Sequence, residues 1–69
     1  MNKNELRAVM IAHGDKYETL AEALGIYAPT LSNKINNKNR IGFSQLEIIA
    51  IKNRYNLTAD QIDRIFFES

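Results

Sequence analysis

Thr30, Ser32, Asn33 and Asn36 set four hydrogen-bonding side chains into one short stretch, and Lys34, Lys38 and Arg40 add three cations to it. Residues 23–46 contain no acid and carry +3, whereas residues 1–22 and 47–69 each carry −1. Amides and hydroxyls at such spacing suit hydrogen bonds to base edges, and lysine and arginine suit phosphate. The asymmetry therefore suits contact with a polyanion. Catalysis has no comparable set of residues. His13 is the single histidine, cysteine is absent, and no glycine-rich phosphate loop occurs. The carboxylates lie where helix capping accounts for them. Neither a catalytic site nor a metal or cofactor site is expected, and the chain does not read as an enzyme.

These side chains must be held by helices. Asn2 or Asn4 can cap a first helix over roughly 3–13, with Leu6, Val9, Met10 and His13 at helical spacing and Gly14 after its end. Asp15 with Glu18 reads as the next start, for a helix to about Leu24 that faces Leu20, Ala21 and Leu24 inward. Gly25 supplies a left-handed turn, and small Ala21 permits a steep crossing. A third helix begins near Ala28 and Pro29, buries Leu31 and Ile35, and ends at Asn36-Asn37. Two helices joined this way over 15–37 form a helix-turn-helix, whose second helix can enter the major groove of DNA.

The rest is scaffold. Lys38 to Gly42 reads as a loop, pinned to the core by Ile41 and Phe43. Ser44 with Glu47 and Thr58 with Gln61 are capping boxes, opening helices over about 45–55 and from 59 to about 67. The fourth helix has two apolar stripes, Leu46/Ile49/Ala50/Asn53 and Ile48/Ile51/Tyr55, as suits a central helix with several neighbours. Ile62, Ile65 and Phe66 face inward on the fifth, and Phe67 lies off that face. No stretch alternates as a strand does. The expected fold class is all-α: one domain over 1–69, with five short helices. The apolar run Ala8 to Ala12 is too short for a signal-peptide core or a membrane span, so a cytoplasmic setting and no membrane partner are expected.

The strings Leu20-Ala21-Glu22-Ala23-Leu24-Gly25-Ile26 and Leu31-Ser32-Asn33-Lys34-Ile35-Asn36 resemble the phage-repressor/Cro type of helix-turn-helix, the XRE family. Phe43-Ser44 and Leu57-Thr58 open later helices at suitable distances, and Ile65-Phe66-Phe67 looks like the ending of small phage-borne members. The resemblance implies a five-helix, lambda-repressor-like domain that binds operator DNA, usually as a dimer on a palindrome. It implies base reading at Ala28, Pro29, Thr30, Ser32 and Asn33. Ala28 and Pro29 can do so only by packing on a thymine methyl, whereas the Asn33 amide can bridge adenine N6 and N7. It implies phosphate contacts at Asn36, Lys38 and Arg40, with Lys34 adding charge. Family members often carry glutamine where Tyr17 stands, and its hydroxyl can still donate to a phosphate. Serine or threonine usually stands at Tyr27, which leaves that ring to reach DNA or a partner.

Two functions follow from this reading. The first is a sequence-specific transcriptional regulator of phage or prophage origin, bound to double-stranded operator DNA with no small-molecule substrate. The second is a protein-interaction module on the same fold, a modulator of a partner repressor or an antitoxin. Ile48, Ile51, Tyr55 and Phe67 exceed the core expected for a small chain, and Ile51, Tyr55 and Phe67 are the expected dimer or partner surface. The chain reads either as a complete Cro-like protein or as a domain cut from a longer one.

Overall fold

The computed structural model describes residues 2–36 and 42–67. These residues form five helices, α1 (Lys3–Ala12), α2 (Tyr17–Leu24), α3 (Ala28–Asn36), α4 (Gln45–Tyr55) and α5 (Ala59–Ile62). A single π-helical turn, Asp63–Phe67, continues α5. No strand occurs among them. The helix stop expected at Asn37 and the anchor expected at Ile41 lie outside the described residues. No helix among the described residues is long and apolar enough to cross a membrane.

Short-range signals set most helix ends. The Asn2 side chain accepts from the Glu5 N–H at 3.1 Å. Ser44 and Thr58 each make both bonds of a capping box, with Glu47 and Gln61. Such a cap stabilises its helix by about 1 kcal/mol. Three helices end on a left-handed residue: Gly14 at φ 72°, Gly25 at φ 72° and Asn56 at φ 53°. At Gly25 the turn closes with two backbone bonds, Gly25 N–H to the Glu22 carbonyl at 3.1 Å and Ile26 N–H to the Ala21 carbonyl at 3.0 Å. A side chain there would incur left-handed strain, and the geometry of the helix pair depends on that turn.

Asp15 does not cap α2. Lys16 occupies the N-cap and makes no side-chain cap bond. The Asp15 carboxylate points to the far end of α4 instead. It accepts from Arg54 Nε at 2.8 Å, Arg54 Nη2 at 2.9 Å and the Tyr55 hydroxyl at 2.5 Å. A bidentate charged pair plus a buried hydroxyl outweighs one backbone N–H that water can satisfy.

The core comprises Leu6 and Met10 of α1, Leu20 and Ala21 of α2, Leu31 and Ile35 of α3, Ile51 and Tyr55 of α4, Leu57, and Ile65 of the π turn. Each fully buried Leu or Ile contributes about 1.5–3 kcal/mol. α2 packs on α3, and α1 packs on the π turn. There the Asn2 N–H donates to the Ile65 carbonyl at 2.7 Å. The expected inward faces of α2 and α3 are therefore the observed ones, and Phe67 is exposed, off the inward face of the last helix.

α4 departs from expectation. Only the Ile48/Ile51/Tyr55 stripe turns to the core. Leu46 is 78% exposed and Ile49 46%. A small bundle has neighbours for one side of α4, so the second stripe faces out.

Candidate nucleic-acid interface

α3 buries Leu31 and Ile35 completely, and that fixes what it displays. Pro29, Thr30 and Asn33 share the opposite, exposed face, and Tyr27 just before the helix is 83% exposed. Thr30 and Asn33 make no side-chain hydrogen bond among the described residues, and both are exposed. Ala28 is half-buried against the core, which leaves it only the edge of the face. Ser32 and Asn36 are also half-buried and pair with each other. Asn36 Nδ2 donates to the Ser32 carbonyl at 3.0 Å and to Ser32 Oγ at 3.3 Å. These bonds hold both side chains along the flank of α3. Asn36 Nδ2 thus has both its contacts on Ser32, and its Oδ1 can accept from a donor such as water.

Lys34 is not a free cation. Its Nζ lies 3.2 Å from Glu47 Oε1 and donates to the Gly42 carbonyl at 3.3 Å. The ammonium also sits 6.0 Å from the centre of the Phe43 ring. Glu47 Oε1 simultaneously accepts from the Ser44 N–H at 2.8 Å. Burial opposes ionisation of Glu47, but hydrogen bonds from Ser44 and Lys34 outweigh it and hold the carboxyl below its usual range. Lys34 is thus a strap between α3 and the start of α4. The other two expected cations, Lys38 and Arg40, lie outside the described residues.

Two of the three residues expected at a dimer or partner surface are core residues. Ile51 is fully buried and Tyr55 is 4% exposed, so neither can meet a partner. Burial, and then the Asp15 carboxylate that its hydroxyl bonds, push the Tyr55 phenol well above its usual range. His13 packs on the same ring at a tilt of 54°, with centroids 4.9 Å apart. Only Phe67 of the expected trio is exposed. It borders an open groove of about 500 Å³ with Phe43, Ile48, Ile49 and Ile62. Leu46 and Ile49, expected to pack on neighbouring helices, are exposed as well.

Tyr17 opens α2 and is half-buried. Its hydroxyl accepts from Arg7 Nε of α1 at 2.8 Å. No role is expected of Arg7 from sequence, because it counts within a net acidic segment. Its four-residue spacing from Lys3 on α1 was the available sign. The Asp15–Arg54–Tyr55 knot lies on the same α1–α2 turn and holds α2 against α4. The Arg54 hydrogen bonds, and then that of Tyr55, lower the Asp15 pKa to about 2.

The model of the Cro/C1-type HTH DNA-binding domain matches residues 5–51. That span runs from α1 through most of α4 and includes every described residue of the α3 face. No curated protein and no solved structure matches the chain significantly. The matched span covers more than half of the sequence, and α2, Gly25 and α3 form the helix pair that such domains use on DNA. The chain belongs to the Cro/C1-type helix-turn-helix DNA-binding family.

Proposed function

We infer that this DNA-binding regulator recognises a specific operator and acts in a bacterial cytoplasm on phage or prophage transcription. The observation that carries the reading is the split on α3. Leu31 and Ile35 anchor it, Ser32, Lys34 and Asn36 are held by neighbours, and Pro29, Thr30 and Asn33 are exposed. Placed in the major groove, this face offers Asn33 to an adenine, Thr30 to a base edge or phosphate, and Pro29 to a thymine methyl. α2 would cross the phosphate backbone beside it.

Mobility shift on DNA from upstream of the gene, at two salt concentrations, tests this. Tight, salt-sensitive and sequence-selective retardation is expected. Asn33→Ala should relax selectivity at one base pair, at a cost of ~1–3 kcal/mol there. Equal weakening of Asn33→Ala on every duplex would refute the base-reading role.

A second reading is favoured by one observation, the outward apolar set Leu46, Ile49 and Phe67. Exposed apolar groups that cluster beside a groove suit a protein contact. On the operator reading the contact is a second copy of the chain, which would place two α3 helices on two half-sites. On the alternative reading it is a partner repressor or a toxin. Sedimentation separates these: a monomer at high micromolar concentration argues against self-association through this face.

A further inference from the structure

Positive charge is also displayed outside the α3 segment. Among the described residues, Lys34 pairs with Glu47, Arg54 with Asp15 and Arg64 with Glu5. Lys3, Arg7, Lys16 and Lys52 form no ion pair there. Arg7 differs from the three lysines in being half-buried and already oriented. Its Nε donates to the Tyr17 hydroxyl at 2.8 Å, which sets the plane of the guanidinium. The hydroxyl spends an acceptor site on this bond and keeps its own hydrogen to donate. Both Nη groups keep theirs as well.

The pair lines a notch of about 180 Å³ with Met10, Ile11 and Asp15. Asp15 lines that notch too, but its carboxylate is satisfied by Arg54 and Tyr55. The acid that would otherwise capture Arg7 is therefore engaged elsewhere. Met10 and Ile11 supply an apolar border, which strengthens a charged hydrogen bond.

We propose that Arg7 and Tyr17 form a two-residue clamp for one phosphodiester of the DNA backbone. Arg7 supplies the charge and the rigid fork, and it holds the Tyr17 ring so that its hydroxyl donates to the same phosphate. Guanidinium geometry suits phosphate oxygens in a way that an ammonium does not. The inference rests on the DNA-binding reading and adds an α1 residue to it. The contact is blind to sequence, so its loss weakens operator and random duplexes alike.

Fluorescence anisotropy with an operator duplex and a random duplex, over a salt series, tests the clamp on the full chain. Arg7→Gln should lower the slope of log affinity against log salt by about 0.9 unit on both duplexes. Between about 50 and 200 mM salt the wild type should then lose about 3.5-fold more affinity than the variant. Tyr17→Phe should weaken both duplexes at a nearly unchanged slope. Arg7→Lys should keep the slope but show the weakening of Tyr17→Phe, because an ammonium cannot hold the hydroxyl and the phosphate in one plane. Adding Tyr17→Phe to Arg7→Gln should cost little more. Circular-dichroism melts keep the result apart from folding, and Arg7→Lys and Tyr17→Phe carry the test if Arg7→Gln does not fold. An unchanged slope in Arg7→Gln, or full additivity of the two substitutions, overturns the clamp while leaving the operator reading intact. Absence of DNA binding by the wild type overturns both.

Discussion

Asp15→Ala should be among the most damaging changes at a polar position of this chain. The carboxylate joins the α1–α2 turn to the end of α4 through Arg54 and Tyr55, across 39 and 40 residues of sequence. Its side chain is 8% exposed, and its pKa falls from 3.8 to about 2. By linkage such a shift stabilises the fold by at most about 2.5 kcal/mol. Arg54 is a third exposed on its side chain, so solvent screening reduces this to about 1–2 kcal/mol. Truncation also leaves the buried Tyr55 hydroxyl without its acceptor, at a further cost of about 1 kcal/mol. The total, about 2–3 kcal/mol, is a large share of what a domain of this size holds. A fall in Tm of roughly 10–20 °C should follow.

Urea denaturation of wild type and Asp15→Asn, repeated down a pH series, isolates the charge. The folded-state pKa is depressed, so the stabilisation is fully present above the unfolded value of 3.8. It is lost as pH falls toward about 2. The stability difference between the two proteins should be flat above about pH 5 and should close progressively below it. Tyr55→Phe, which keeps the ion pair, should retain most of that pH dependence. A difference that persists unchanged to the acid end, or one below about 0.5 kcal/mol at neutral pH, would refute the reasoning.

Glu47→Ala removes both a capping-box acceptor and the partner of Lys34. It should cost about 1–2 kcal/mol by urea denaturation and, by freeing the lysine, steepen the salt dependence of DNA binding. Ile51→Ala should cost about 2–5 kcal/mol at every protein concentration, because the side chain is fully buried within one copy. Leu46→Ser, at a residue 78% exposed, should change monomer stability by less than about 0.5 kcal/mol and weaken any self-association seen by sedimentation.

Helix existence and most helix ends were readable because the signals are short. A cap reaches three residues, a left-handed terminator sits at one position, and an apolar stripe repeats every turn. Asn2, Ser44 and Thr58 act as caps as expected, and Gly14, Gly25 and Asn56 terminate as expected. Asp15 looks like another cap of the same kind, and no local feature separates it from them. Its fate depended on Arg54 and Tyr55, which reach it only once α4 is packed. On α4 both stripes have a helical period, so the pattern could not say which one found neighbours.

The site divides in the same way. The free face of α3 follows from Leu31 and Ile35, because burying two residues one turn apart turns Pro29, Thr30 and Asn33 to solvent. Sequence alone therefore determined the helix pair, its turn and the display of α3, since each depends on residues within a few positions. The tertiary structure decided which charges and which apolar groups remain available. Lys34 is spent on Glu47, Arg54 on Asp15, and Ile51 and Tyr55 on the core. Among the described residues, Arg7 and the lysines Lys3, Lys16 and Lys52 are left without an ion pair, and Leu46, Ile49 and Phe67 are left exposed. Availability is what remains after distant partners have met, so it is a property of the packed chain and not of any stretch of it.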